Sequence, residues 1–126
     1  KMLGRPFSFS GTVCHGKALG RSLGFPTMYI PLPENLVCPA PGVYICRTCL
    51  RGAWHAAVCN ISAARLCEAF MLAHNEDAYG VQVNVELIEF VRPMRKFSGL
   101  EELKSQVDSD KKYAYDWFMI QYKSVF

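Results

Sequence analysis

Gly80-Val81-Gln82-Val83-Asn84-Val85-Glu86-Leu87-Ile88-Glu89-Phe90-Val91 alternates apolar and polar side chains from one end to the other. A period of two is that of a strand with one face buried and one face wet. Val81, Val83, Val85 and Leu87 face a core on this reading. Gln82, Asn84 and Glu86 face water or a shallow site. Arg92-Pro93 ends the strand, because proline has no N–H to give a ladder. Arg92 at such a position is read as a solvated charge or a strand-end pair.

The same pattern recurs upstream. Leu50-Arg51-Gly52-Ala53-Trp54-His55 is turn-like, and residues 43 to 49 and 54 to 60 about it read as a hairpin. Pro6-Phe7-Ser8-Phe9-Ser10-Gly11-Thr12-Val13 reads as a first strand. Pro31 to Pro41 carries four of the seven prolines and is expected to be an extended connector. After the strands the period changes. Leu100, Leu103, Val107, Ala114 and Trp117 or Phe118 recur at helical spacing, with Lys111 and Lys112 on the polar side. Ser98 and Glu101 have the form of a capping box, so a helix is expected over about 98–121. Strands followed by one helix suggest a mainly β domain: a closed antiparallel barrel over about 6–93 with a helix laid across it.

The totals agree with one globular domain over 1–126. The chain has 126 residues, 51% of them hydrophobic and 20% charged. No apolar run reaches a membrane span, and Lys1 to Gly11 does not read as a signal peptide. The first residue is Lys, so a fragment or processed chain is expected, and a cytoplasmic location is the default. A net charge of +3 mildly favours an anionic ligand and is too small to argue for nucleic acid. Six cysteines are read as scattered reduced thiols. Cys46-Arg47-Thr48-Cys49 lies on a strand, where positions i and i+3 point to opposite faces. Both thiols of a regular strand therefore cannot bind one metal.

Gly20-Arg21-Ser22-Leu23-Gly24-Phe25-Pro26-Thr27 is a candidate phosphate loop. Closely spaced glycines let a backbone approach a ligand, and unpaired N–H groups in such a loop suit phosphate. Thr27 adds a hydroxyl that can bind a hard cation. On spacing alone an ordinary turn is the favoured reading.

Gly11, Val13, Gly16 and the Gly20–Thr27 stretch resemble the N-terminal signature of riboflavin kinases (flavokinases). Pro41-Gly42-Val43-Tyr44, Asn60-Ile61, the Cys67–Gly80 segment and Phe97-Ser98-Gly99-Leu100-Glu101 resemble later family pieces, in the family's order. The resemblance covers roughly residues 9 to 115. It implies a six-stranded, Greek-key-like barrel and transfer of the γ-phosphoryl group of ATP to riboflavin, giving FMN and ADP. It places Gly16, Lys17, Gly20, Arg21 and Thr27 at ATP, Thr27 also at Mg²⁺ or another divalent cation, and Glu68 as the catalytic carboxylate. Such a carboxylate orients the alcohol and accepts its proton. The resemblance names no flavin-binding residue, although Trp117, Phe118 or Tyr122 on the helix would border a flavin cleft. ATP and riboflavin are the implied partners, with no nucleic acid and no membrane. The chain is expected to be a monomer or one domain of a larger flavin-nucleotide synthetase.

Three departures stand out. Tyr29 occupies the place of a family asparagine that serves the metal–nucleotide site, and a protonated phenol is a poor Mg²⁺ ligand. Ser62 replaces a glycine. Roughly ten residues of a family loop are missing after Ser62, which is a usual surface-loop length. Either the loop is shortened or a segment is left out of the sequence, and the second is the reading carried forward. The alternative functions are a non-catalytic flavin- or nucleotide-binding barrel and, on Cys46 and Cys49 alone, a small redox or metal module. Glu76 and Asp77 are read as turn residues.

Overall fold

The computed structural model describes residues 2–14, 27–37, 39–72 and 79–123. Its strands are β1 (Met2–Thr12), β2 (Met28–Pro31), β3 (Gly42–Leu50), β4 (Ala53–Ile61), β5 (Leu66–Met71) and β6 (Gln82–Arg92). One helix, α1 (Leu100–Lys123), follows. The strands form one six-stranded antiparallel sheet in the order β1-β6-β3-β4-β5-β2. A bridge between Cys14 and Tyr29 brings the two outer strands together, with Cys14 N donating to Tyr29 O at 2.7 Å. The sheet is therefore a nearly closed barrel, as expected. Closure needs Gly11. A Cβ there would lie 2.9 Å from Ile30 Cγ2 and 3.1 Å from the Pro31 carbonyl oxygen.

Alternation sorts the side chains into two apolar layers. Phe9, Tyr44, Cys46, Ile61, Val85 and Leu87 belong to the barrel interior. Val43, Ile45, Val58 and Phe70 point outward and pack against Val107, Ala114 and Phe118 of α1. No helix among the described residues is long and apolar enough to cross a membrane.

Interior positions also hold three thiols, Cys46, Cys59 and Cys67, all fully buried. Hydrogen bonding with Cys46, then burial, raises the Cys59 thiol well above its ordinary value, against an opposing bond with Cys67. Hydrogen bonding with Cys59, then burial, raises Cys67 likewise. Both stay protonated, and a buried thiol held protonated is a poor nucleophile. Cys49 lies on the other face of β3 and is half-buried. The Cys46–Cys49 pair is thus split by the strand, as the spacing predicts.

Thr48 Oγ1 is the buried side-chain oxygen without a hydrogen-bond partner among the described residues. An unsatisfied hydroxyl in an apolar core carries a desolvation penalty with no return. Thr48→Val keeps the branched shape and removes it. We expect this variant to gain about 1 kcal/mol in urea unfolding.

The connections carry features that the sequence pattern does not announce. The β3–β4 hairpin turns on Arg51 and Gly52, with φ of 50° and 82°. Two positive φ values are what a two-residue turn between twisted strands requires, and only the glycine announced it. The β4–β5 connection is a closed turn. Ser62 N donates to Leu66 O at 3.0 Å, and Arg65 N donates to Ser62 O at 3.0 Å. The described chain passes directly from β4 to β5 through this turn. Arg65, at φ 62°, also donates through its guanidinium to the carbonyls of Pro33 and Leu36. It ties this turn to the proline-rich connector.

The helix begins one residue off its expected cap. Glu102, not Glu101, reaches back, accepting from Ser98 N at 3.0 Å. Leu100 is 53% exposed and is not part of the core, because the apolar stripe starts at Leu103. Two polar links hold α1 to β6. Arg92 forms a two-pronged pair with Asp110 at 3.1 and 2.7 Å. Tyr113 Oη donates to Glu89 Oε2 at 3.1 Å.

That second link sets a pH dependence. The hydrogen bond to Glu89 and its charge raise the Tyr113 phenol above the ordinary tyrosine value. The folded protein therefore holds this proton more tightly than the unfolded chain. The stability it lends is complete below the ordinary tyrosine pKa and is lost as pH rises through the raised one. We expect Tyr113→Phe to abolish this alkaline loss, which is small because the ring is half exposed. Tyrosinate absorbance during an alkaline titration, compared between wild type and variant, should show the missing phenol as a late-ionising one.

Candidate active site

Glu68 sits at the middle of β5. Its neighbours Cys67 and Ala69 face the barrel interior, so Glu68 faces outward and is half-buried. The ladders set what lies beside it. Tyr29 of β2 is directly opposite on one side, and Asn60 of β4 on the other. Asn60 is in turn opposite Val43 of β3, and Val43 is opposite Arg92 of β6. Five strands thus contribute one outward-facing row: Tyr29, Glu68, Asn60, Val43, Arg92. Directly paired residues on antiparallel strands have Cβ atoms about 4.5–5.5 Å apart, close enough for side chains to act together.

The row runs along the margin of an apolar seam. Val58 and Phe70 lie two residues from Asn60 and Glu68, on the same face, and α1 covers them with Phe118. Trp117 packs on the edge of the seam and meets Phe118 edge to face at 5.1 Å. Phe118 is buried, so it serves as an anchor of the helix. At the far end Asp110 receives Arg92 and also Gln106 Nε2 at 3.0 Å.

Thr27 immediately precedes β2, half-buried and two residues from Tyr29. Its hydroxyl and the Glu68 carboxylate therefore belong to neighbouring strands at one part of the barrel surface. Oxygen donors of these kinds fit a hard cation, and Mg²⁺ commonly binds through one or two protein groups, substrate phosphates and water. Tyr29 is 9% exposed and faces the same way as Glu68.

Gly16, Lys17, Gly20 and Arg21 lie outside the described residues, as do Glu76 and Asp77. The Tyr122 side chain lies outside them too. Arg92, read from the sequence as a solvated charge or a strand-end pair, is a helix clamp. Asn60 is the residue the sequence reading passed over. It was part of an Asn-Ile strand end, and only the register sets it beside Glu68.

The fold is a small antiparallel β-barrel crossed by one helix, with the Glu68 carboxylate in a row of side chains on its outer face. A family model described as "Flavokinase: Riboflavin kinase" matches residues 3–118. The chain is 32% identical to the bifunctional riboflavin kinase/FMN adenylyltransferase of Bacillus subtilis, covering 93% of this chain and 40% of that protein. It is 35% identical to the trifunctional protein RibF/MnmA of Mycoplasmoides gallisepticum, covering 98% of this chain and 20% of that one. The solved riboflavin kinase of Trypanosoma brucei superposes with a TM-score of 0.63 at 21% identity, over 94% of this chain and 82% of that one, a likeness of fold. The chain belongs to the riboflavin kinase family, whose activity is that of a kinase. It spans less than half the length of these two curated relatives.

Proposed function

We propose that this chain transfers the γ-phosphoryl group of ATP to the 5′-hydroxyl of riboflavin, giving FMN and ADP. The observation that carries the reading is the position of Glu68. It faces outward between Tyr29 and Asn60, on the strand next to the one Thr27 leads into. Riboflavin has a flat apolar ring and a polyol chain, and a polar row at the margin of an apolar seam suits such a ligand.

Glu68 holds the ribityl hydroxyl and accepts its proton as that oxygen bonds to the γ-phosphorus. The bond from the γ-phosphorus to the bridging oxygen breaks, and ADP leaves with the electron pair. Gly16 and Gly20 would offer backbone N–H groups to the phosphates, with Lys17 and Arg21 supplying charge. Thr27 would hold Mg²⁺, which when bound neutralises charge on the phosphates. Positioning and charge neutralisation supply most of the rate in such a transfer.

We further propose that the chain is a domain of a larger flavin-nucleotide synthetase, or a free-standing monomer, and that it acts in the cytoplasm. The bifunctional and trifunctional relatives support the first. A second reading, a flavin- or nucleotide-binding barrel without turnover, is favoured by Tyr29 and Ser62.

The test is a mixture of purified protein, riboflavin and Mg·ATP, with FMN and ADP followed by chromatography. Equal amounts of FMN and ADP, both dependent on riboflavin, are expected. Flavin binding with no FMN would move the assignment to the binding barrel. Neither binding nor product would sink both.

A further inference from the structure

We propose that Asn60 determines substrate specificity by hydrogen-bonding the hydroxyl next to the one that is phosphorylated, so that the site selects a terminal vicinal diol. The inference rests on the reading of Glu68 given above. Asn60 is directly opposite Glu68 in the β4–β5 ladder. Cys59 and Ile61 on either side of it point into the barrel, so its amide points out on the Glu68 side. It is half-buried, and among the described residues nothing hydrogen-bonds its amide.

A half-buried amide carries two donors and an acceptor that need partners when water is excluded. Tyr29, the other neighbour of Glu68, is nearly buried and already engaged in an interaction. Val43, the next residue along the row, offers no polar group. Asn60 is therefore the side chain with hydrogen-bonding capacity left beside the carboxylate. Two such groups on adjacent strands, about 5 Å apart at Cβ, can converge on neighbouring oxygens of one chain. Glu68 takes one hydroxyl and Asn60 the next. A site built to hydrogen-bond a hydroxyl rejects an analogue lacking it more strongly than an apolar pocket rejects a size change.

The experiment is a cycle of two proteins and two substrates. Wild type and Asn60→Ala are each assayed with riboflavin and with 4′-deoxyriboflavin, at saturating Mg·ATP. With riboflavin, the variant should lose about tenfold or more in kcat/KM. With the deoxy substrate, wild type should already be lower by a similar factor, and the variant should add less than about twofold. Asn60→Ser, assayed in parallel with its melting temperature, should behave the same way at wild-type stability. Equal losses on both substrates would show a structural role and overturn the proposal. So would no loss on riboflavin. Absence of FMN from wild type would instead overturn the activity on which the proposal rests, and with it the proposal.

Discussion

Glu68→Gln is expected to lower kcat for FMN formation at least a hundredfold, with little change in melting temperature. Glutamine has nearly the shape of glutamate and can still orient an alcohol through its carbonyl. It cannot take the proton. General-base assistance typically contributes on the order of 10²–10⁴, which sets the size of the loss. The fold should tolerate the change because Glu68 is half-buried on the outer face, outside both apolar layers. The KM for ATP should hardly move, since the carboxylate serves the acceptor. Rapid-quench measurement of a single turnover separates this from a change in product release. Similar rates for both proteins would remove Glu68 from the mechanism and leave the kinase reading in place.

Arg92→Ala should cost about 2–4 kcal/mol of stability. The guanidinium bonds both oxygens of Asp110, which is only 6% exposed. Removing it leaves a carboxylate in a largely dry place with Gln106 as its remaining partner. Breaking a buried pair from one side costs more than the pair contributes, because the orphaned charge stays behind. The Arg92 side chain is 21% exposed, which places the expected loss below the fully buried case. A contrast is available on the same helix. Lys112 and Asp116 form an exposed pair at 3.1 Å, and Lys112→Ala should change stability by less than about 0.5 kcal/mol. Guanidinium chloride unfolding of the three proteins would give both numbers. An Arg92 variant as stable as the Lys112 variant would mean that α1 is held by its apolar stripe alone.

Most of the barrel was legible because its longer strands carry their own period, while the four-residue β2 is too short to show one. Val83, Val85 and Leu87 alternate with Asn84 and Glu86, and that pattern needs no tertiary information. The split of Cys46 from Cys49 follows from the same geometry. What the local pattern could not carry was the shape of the connections. Arg51 and Arg65 adopt positive φ although neither is a residue that prefers it. Each is held there by the hydrogen bonds of the hairpin it closes. The helix cap moved from Glu101 to Glu102 for a similar reason. Adjacent acidic residues are equivalent in sequence, and the approach of the chain from Phe97 selects between them.

Glu68 was named from resemblance, and its surroundings were not readable at all. Residues 29, 60, 68 and 92 are scattered along the chain, and nothing local says that they share a row. The barrel's register decides it. A slip of one residue in the β4–β5 pairing would turn Glu68 toward the core and Cys67 toward solvent. The sequence by itself determined β1, β3, β4, β6 and the helix, because hydrophobic periodicity is a local property, whereas β2, four residues long, is set by its pairing with β5. Only the tertiary structure decided that Asn60 flanks Glu68 and that Arg92 clamps Asp110, because cross-strand neighbours are set by how the whole sheet closes.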